Sequence, residues 1–349
     1  MSTSTLTAEQ AYSARKIRMA TSGMKIALLM PLTAILQNIF NVSVTESVTK
    51  SLAEVVLLSI ITSITLIGLA DVFAGIFSFL YNLSKGKGIP EYKRTMGLKI
   101  SWMMLLAAAI AGPMATGLWM AATPFAGLTM VAVITSLGPV LTVIVSRFVL
   151  KENVSSRVYL GVIITVIGVV IAGWSEGEGG TNFWLGVVLA LMAPIGFTLE
   201  AQLSTYAGDI IDPNVGCGLY RCFGSAAVGL TAMFLLSAGT GNLSEFGTIL
   251  DIALTTPKLL LFVAIMGLLG AINYNAAYLA FNRTGPSRTL AIDSSRPVWS
   301  IPLGYLFAAM GVAAYSVTAF GIIGAIIVVV GLLLVISKPS ELVNLRNTE

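Results

Sequence analysis

Residues Ala319–Ile336 read AFGIIGAIIVVVGLLLVI, eighteen residues without one charged, amide or hydroxyl side chain. A run of this length and composition can cross the roughly 30 Å hydrocarbon core of a bilayer as an α-helix. Similar runs recur along the chain, for example Leu259–Ala271, and they do not alternate as the strands of a membrane barrel do. Because only helices and closed barrels span lipid, the sequence predicts an all-α integral membrane protein.

The composition agrees with this class and excludes several chemistries. Of 349 residues, 56% are hydrophobic and 10% are charged, against about 25% charged in a typical soluble domain. The absence of histidine excludes His-based metal sites and Ser-His-Asp catalysis. Cys217 and Cys222 are five residues apart, on different faces of an α-helix, so we expect neither a disulfide nor a zinc site. We expect no cofactor and no metal.

Ten membrane spans are predicted, with bounds good to a few residues. They lie at 24–44, 64–84, 98–119, 124–147, 157–174, 182–205, 214–237, 259–281, 286–308 and 313–336. Residues 1–23 and 338–349 are predicted to be cytoplasmic tails. Thr45–Ser63 mixes polar and apolar residues, so it is either an interfacial helix or an extension of a long second span.

The basic residues predict an orientation, because loops rich in Lys and Arg stay on the cytoplasmic side. With ten spans and the N-terminus inside, sixteen of the 20 Lys and Arg residues fall in inside segments, and only Lys50 and Lys258 fall outside. An odd span count would abolish this asymmetry. We therefore expect a multi-pass protein of the cell (inner or plasma) membrane with both termini cytoplasmic, and with Glu176–Gly180 and Asn242–Pro257 outside.

The two halves of the chain resemble each other. Ala122–Val145 aligns with Ala280–Leu303 without a gap, so that Pro139 matches Pro297. The helices that follow share a Gly-x6-Gly pattern, at Gly161/Gly168 and Gly324/Gly331. Five spans per copy is an odd number, so the second copy must insert upside down. The sequence thus predicts two inverted five-helix repeats, 24–175 and 181–337, an architecture typical of alternating-access transporters.

The repeated block combines a Thr/Ser-rich stretch, a proline deep in a span, a long apolar run, the pair Lys151-Glu152 and the Gly-x6-Gly pattern. In this combination residues 24–337 resemble the drug/metabolite transporter superfamily, in its EamA-like branch. The second copy departs from the pattern, because Ala309-Met310 stands where Lys151-Glu152 does in the first. The resemblance implies ten helices, no ATPase domain, and export or uptake of small organic solutes. Members carry amino acids, nucleotide sugars, choline-like cations or purines.

Five charged residues fall well inside the predicted spans, away from the span ends, where charge is costly and is by default a candidate for function. They are Asp71, Glu200, Arg221, Asp293 and Arg296. The structural alternative is that they pair to hold helices together, Asp71 with Arg221 and Asp293 with Arg296, or snorkel to the interface. Short alignments of the two repeats match these charged positions with polar or charged ones: Gln37 with Glu200, Asp71 with Arg221, and 135–138 with 293–296. Because an inverted repeat places matched positions symmetrically, these residues are predicted to surround one central cavity.

The predicted substrate site combines these charges with amides and one tryptophan. Its residues are Gln37, Asn38, Asp71, Glu200, Arg221, Asn273, Asn275, Asp293, Arg296 and Trp299. Both signs of charge together with amides suit a zwitterionic or polar organic solute, whereas an ion pore would show a ring of one sign. Pro139 and Pro297 are predicted helix breaks. Trp119, Tyr220, Tyr274 and Tyr278 are candidates either for stacking on a solute or for an interfacial belt.

Proton coupling without histidine would have to use a carboxyl group, and the candidates are Glu200, Asp71 and Asp293. Glu200 is the first choice, because no arginine lies within its own helix.

Secondary transport explains the repeats, the buried charges and the helix breaks together. The absence of a Gly-x4-Gly-Lys-[Ser/Thr] motif leaves ATP-driven transport unsupported. An intramembrane enzyme would have only a carboxylate pair for catalysis. The function that the sequence favours is export of an amino acid or a related metabolite. The alternatives are uptake of an organic (choline-like) cation and a flippase for a lipid-linked metabolite. The expected partners are a small-molecule solute and membrane lipid, with no nucleic acid, for a monomer or a homodimer.

Overall fold

The computed structural model describes residues 8–49, 56–126, 131, 134–135, 137–172, 183–309 and 319–335. Every regular element in these ranges is a helix. In chain order they are α1 (Ala8–Ala27), α2 (Leu29–Thr49), α3 (Val56–Ser84), α4 (Ile89–Met96), α5 (Ser101–Ala109), π1 (Ile110–Gly117), α6 (Leu118–Ala126), α7 (Gly138–Val149), α8 (Ser156–Ala172), α9 (Phe183–Ala207), α10 (Pro213–Gly216), π2 (Cys217–Gly224), α11 (Ser225–Thr240), α12 (Leu243–Thr255), α13 (Pro257–Thr284), α14 (Pro286–Asp293), α15 (Arg296–Ala309) and α16 (Ala319–Val335). The segments π1 and π2 are π-helical.

Six helical segments in the described ranges are long and apolar enough to cross a membrane. They are Glu9–Thr45, Leu57–Ser84, Ser101–Ala122, Phe183–Ala207, Pro213–Thr240 and Pro257–Thr284. Three further apolar helices, α7, α8 and α16, are shorter. This is a multi-pass helical membrane protein. The count of ten and the inverted order of the repeats stay predictions, since parts of the predicted spans at 124–147 and 313–336 lie outside the described residues.

The N-terminal part of the chain contains more helix than the sequence predicts. The predicted tail 1–23 is helical from Ala8 onwards, and Ala20 and Met24 of α1 are buried against α13 and α14. Within the ambiguous stretch 45–63, α2 continues to Thr49 and α3 begins at Val56. The alternative of a long second span therefore fits 56–63, while 50–55 lies outside the described residues.

Helix α13 lies at the centre of the bundle, where it packs against α1, α2 and α3. Small residues permit this close contact: a Cβ added to Gly267 would lie 2.7 Å from the carbonyl oxygen of Ala70 on α3.

The predicted outside segment Asn242–Pro257 contains α12, which precedes α13 and whose Phe246 and Ile249 are buried. The packing of α13 brings its polar residues Asn273 and Tyr274 to the interior.

Helices α8 and α16 form the most extensive contact between two helices in the described ranges. The Gly-x6-Gly patterns of the two helices face each other there. A Cβ on Gly161 would lie 2.7 Å from the carbonyl oxygen of Gly331, and a Cβ on Gly168 would lie 2.7 Å from the amide nitrogen of Val328. Backbone atoms cannot give way as a flexible side chain can, so these positions require glycine.

The connection between α3 and α5 includes α4, whose Tyr92 is buried. The Tyr92 hydroxyl accepts a hydrogen bond of 2.9 Å from Asn82 Nδ2. Burial raises the pKa of Tyr92 to about 12, so the phenol stays neutral at physiological pH. Beside it, Lys87 Nζ lies 2.6 Å from Asp212 Oδ2, which ties the connection to α10.

The α8–α16 contact predicts a difference between two Gly-to-Ala substitutions. We expect Gly168→Ala to lower the melting temperature of the purified protein, because forcing a methyl group into a packed contact costs about 1–3 kcal/mol. Gly239→Ala is the matched control, since Gly239 lies in a helix and has nothing within 4 Å of an added Cβ. We expect no loss for this variant. Equal melting temperatures for the two variants would contradict the assigned packing.

Candidate functional site: a buried arginine beside a polar cavity

Arg221 is the charged group around which the site is built. It lies in π2, and its side chain is 2% exposed. Its Nη1 lies 3.2 Å from Asp71 Oδ2 on α3, and its Nε lies 2.9 Å from Glu200 Oε1 on α9. One guanidinium therefore joins two carboxylates from two other helices.

Asp71 has a second hydrogen-bond partner, Ser225, and the neighbouring Gly112 leaves space for this contact. Ser225 Oγ donates a hydrogen bond of 2.6 Å to Asp71 Oδ2. A Cβ on Gly112 of π1 would collide with Ser225 Oγ and would lie 3.5 Å from Asp71 Oδ2. Both π-helical segments thus border the Asp71–Arg221 contact, in agreement with the frequent occurrence of π-bulges at functional sites.

Tyr274 lies against the face of the Arg221 guanidinium, with the arginine Cζ 3.7 Å from the ring centroid. A cation over a tyrosine ring is attracted by the ring quadrupole, more strongly when both groups are desolvated. Tyr274 belongs to α13, so a fourth segment joins the cluster. The Arg221 cluster, defined as Asp71, Glu200, Arg221 and Tyr274, links α3, α9, π2 and α13.

The ion pair of Glu200 bears on the argument that made Glu200 the first choice as proton carrier. Glu200 has no arginine within its own helix, but Arg221 of π2 reaches it. The Nε–H of Arg221 makes no hydrogen bond to another described residue, so the contact with Glu200 is an ion pair without hydrogen-bond alignment. Two carboxylates thus share one arginine, and Asp71 makes the better hydrogen bonds.

A second ion pair lies where the predicted ninth span is interrupted. Helix α14 ends at Asp293, α15 begins at Arg296, and Arg296 Nη2 donates a hydrogen bond of 2.5 Å to Asp293 Oδ2. Pro297 lies in the first turn of α15, as Pro139 lies in the first turn of α7. Asp293 Oδ1 and Arg296 Nε are buried, and neither forms a hydrogen bond within the described part of the chain. The pair therefore keeps one acceptor and one donor unused.

A cavity of about 80 Å³ lies between these two ion pairs. Seven of the predicted site residues line it: Gln37, Asn38, Glu200, Arg221, Asn273, Asp293 and Arg296. Its other walls include Trp119, Phe197, Tyr274 and Phe281. The volume holds a few water molecules and is smaller than the roughly 300–1,000 Å³ of typical ligand pockets. A solute larger than a few atoms needs the walls to move apart.

Three of the predicted site residues do not line this cavity. Asp71 lies behind Arg221 and acts on the cavity only through it. Asn275 Nδ2 donates instead to Ser78 Oγ and to the carbonyl oxygen of Ala271. Trp299 is partly buried and is not part of the cavity wall. The structure does not bring these three residues to the cavity wall, and their direct contact with a solute stays a prediction.

The two cysteines correct another expectation. In an α-helix, residues five apart point in different directions, but π2 winds more loosely, and its i→i+5 bonding brings such residues to the same face. Both cysteines are fully buried free thiols, in agreement with the expectation that they form no disulfide. The reason given for that expectation, that the spacing places them on different faces of an α-helix, does not hold in π2.

Comparison with known proteins agrees with the fold. Residues 42–174 match the model of the EamA-like transporter family. The matched part lies in the first half of the chain, which is thus similar to EamA-like transporters. This confirms the resemblance to the EamA-like branch of the drug/metabolite transporter superfamily that the repeated motifs indicated.

Two individual proteins are similar to this chain. Protein LicB of Haemophilus influenzae is 25% identical over 211 residues, which cover 59% of this chain and 67% of LicB. A protein of known crystal structure superposes with a TM-score of 0.59 at 17% identity, covering 89% of this chain and 97% of the other. The second likeness concerns the fold alone.

Sequence reasoning missed Ser225 and a further buried pair, Glu152 with Arg288. Ser225 follows Arg221 by four residues, a spacing that places two side chains on one helix face, and this was the available signal. Glu152 lies between two predicted spans and Arg288 lies at the beginning of the ninth, yet both side chains are 0% exposed. The distribution of Lys and Arg residues among the loops, which predicts orientation, carries no information about the burial of these two side chains.

The Arg221 cluster predicts a large loss of stability on removal of the arginine. Arg221→Met leaves Asp71 and Glu200 buried without their counter-ion, and breaking such a pair costs about 3–5 kcal/mol. We expect a clearly lowered melting temperature in detergent, or poor accumulation. The control is Arg94→Met, since the Arg94–Glu91 pair is exposed and its loss should leave the melting temperature unchanged. An Arg221→Met protein as stable as the control would refute the assigned pairing.

Proposed function

We propose that this protein is a transporter that exports a small polar or zwitterionic organic solute, an amino acid or a related metabolite, by alternating access. The observation that carries this proposal is the Asp293–Arg296 pair beside the cavity. Its unused Oδ1 can accept from an ammonium group, and its unused Nε–H can donate to a carboxylate. A zwitterion brings both of these groups.

Neighbouring polar groups support the same solute class. Asn38 and Asn273 line the cavity with the ion pair. Asn273 Nδ2 is already engaged with the carbonyl oxygen of Met30 at 2.8 Å and with Thr33 Oγ1 at 3.0 Å. These bonds hold the amide in a fixed orientation, as specificity for a polar solute requires.

A second candidate function, uptake of an organic cation such as a choline-like compound, has its own supporting observation. Two carboxylates face one arginine in the Arg221 cluster, so the cluster has an excess of negative charge when both are ionised. Trp119 and Phe197 also line the cavity, and aromatic faces attract quaternary ammonium groups.

The excess carboxylate also suggests how transport is driven. We propose Glu200 as the proton carrier, because it lines the cavity whereas Asp71 lies behind Arg221. Asp293 is the alternative on the cavity wall. A facilitator or an exchanger would need no carrier.

Removal of Arg296 separates a substrate role from a structural one. We expect Arg296→Ala to keep its melting temperature and to lose the thermal stabilisation by amino acids in a panel that also contains choline-like cations and purines. The control is Arg283→Ala, whose guanidinium bonds Ser22 Oγ away from the cavity. Lowered stability with retained binding would mean a structural pair. No change in either quantity would remove Arg296 from the mechanism, and stabilisation by choline-like cations alone would favour the second candidate.

Substitution of Glu200 tests the proposed coupling. In proteoliposomes with an imposed pH gradient, we expect Glu200→Gln to lose the pH dependence of transport, because an amide cannot take up a proton at this pH. Glu91→Gln, at an exposed ion pair, serves as the control and should behave as wild type. Transport by Glu200→Gln that stays fully pH-dependent would show that the carrier lies elsewhere.

A further inference from the structure

A carboxylate from the first half of the chain holds the N-terminal end of α14. Glu152 lies in the connection between α7 and α8. Its Oε2 accepts hydrogen bonds from Ser287 Oγ at 2.7 Å and from the Ser287 backbone N–H at 3.4 Å. Its Oε1 lies 3.3 Å from Arg288 Nη1. We name these three residues, Glu152, Ser287 and Arg288, the α14 latch.

The backbone beside the latch is shaped around the carboxylate. Gly285, immediately before α14, has φ of +86°, which a residue with a side chain rarely adopts. A Cβ at Gly285 would collide with Glu152 Oε1 and would lie 2.9 Å from Glu152 Cδ. The positive end of the α14 helix dipole and the guanidinium of Arg288 both favour a negative charge at this place.

Helix α14 connects the latch to the cavity. All eight of its residues are buried. Ser287 and Arg288 in its first turn belong to the latch, while Leu290 and Asp293 towards its end line the cavity. The helix lies between Gly285 and the turn at Ser294–Ser295, so it can rotate as one piece about these two points.

We propose that the α14 latch keeps the cavity closed towards the cytoplasm and must release in each transport cycle. This inference rests on the proposed alternating access and adds the residues that govern one of its two states. The cavity of about 80 Å³ has to widen for a solute, and α14 is a wall whose far end is held by a contact between the two halves of the chain. A solute bound at Asp293 would act on the latch through the one helix that carries both.

The test measures access to the cavity from each side of the membrane, without any solute. Ala34 lines the cavity, so Ala34→Cys provides a reporter thiol for a membrane-impermeant methanethiosulfonate reagent. Labelling is compared in inside-out and right-side-out vesicles. Cys217 and Cys222 remain in place, because both are fully buried and their modification reports unfolding.

In this background Glu152→Gln removes the charge of the latch. We expect it to raise the labelling rate of the reporter about tenfold from the cytoplasmic face and to leave labelling from the other face unchanged. Ser287→Ala keeps the ion pair and removes one hydrogen bond, so a rise of about threefold is expected. If Glu152→Gln does not accumulate, Ser287→Ala decides. Glu91→Gln is the matched control at an exposed pair, for which we expect no change.

Three results would overturn the latch. Labelling could stay at the wild-type rate in the latch variants, or it could rise only from the outer face. It could also rise from both faces together with modification of Cys217 and Cys222, which would show a purely structural pair. Because no solute is added, a chain that binds none of the solutes in the panel can still show the one-sided rise. Failure of the latch and failure of the proposed solute class are therefore distinguishable.

Discussion

The structure depends on the neutralisation of one buried arginine. A guanidinium does not lose its proton in a protein, so Arg221 must meet negative charge wherever the fold buries it. Asp71 and Glu200 supply that charge from α3 and α9, and Tyr274 of α13 covers the face of the guanidinium. Since these groups belong to different helices, the cluster sets the relative positions of the helices that surround the cavity.

Irregular backbone is concentrated around this cluster and the cavity. The π-helical segments border Asp71, and the turn between α14 and α15 carries the Asp293–Arg296 pair. Within a membrane, backbone that departs from the α-helix is tolerated where protein or a polar cavity can satisfy it. The regular, glycine-lined contact of α8 with α16 lies elsewhere. The closely packed pair of α8 and α16 is thus separate from the helices that line the polar cavity.

Much of this arrangement was predictable from the sequence, because charge inside an apolar span is a strong signal. The alignment of Asp71 with Arg221 predicted a pair that the structure contains, and the spacing of Asp293 and Arg296 predicted the other. The π-helical winding that brings Cys217 and Cys222 to the same face was not predictable, because no composition or period distinguishes it from an α-helix. The burial of Glu152 and Arg288 was missed because a charge at a span end normally lies in water, and only tertiary contact decides otherwise.

The central claim is that Arg221, Asp71 and Glu200 are stable together because they neutralise one another. The most direct measurement compares the melting temperatures of Arg221→Met and of the triple variant Asp71→Asn/Glu200→Gln/Arg221→Met. Replacing a whole buried ionic cluster by neutral groups of similar size is often close to neutral for stability, whereas removing one member is not. We predict that the triple variant recovers most of the stability lost in Arg221→Met. A triple variant that is no more stable than Arg221→Met would contradict the account.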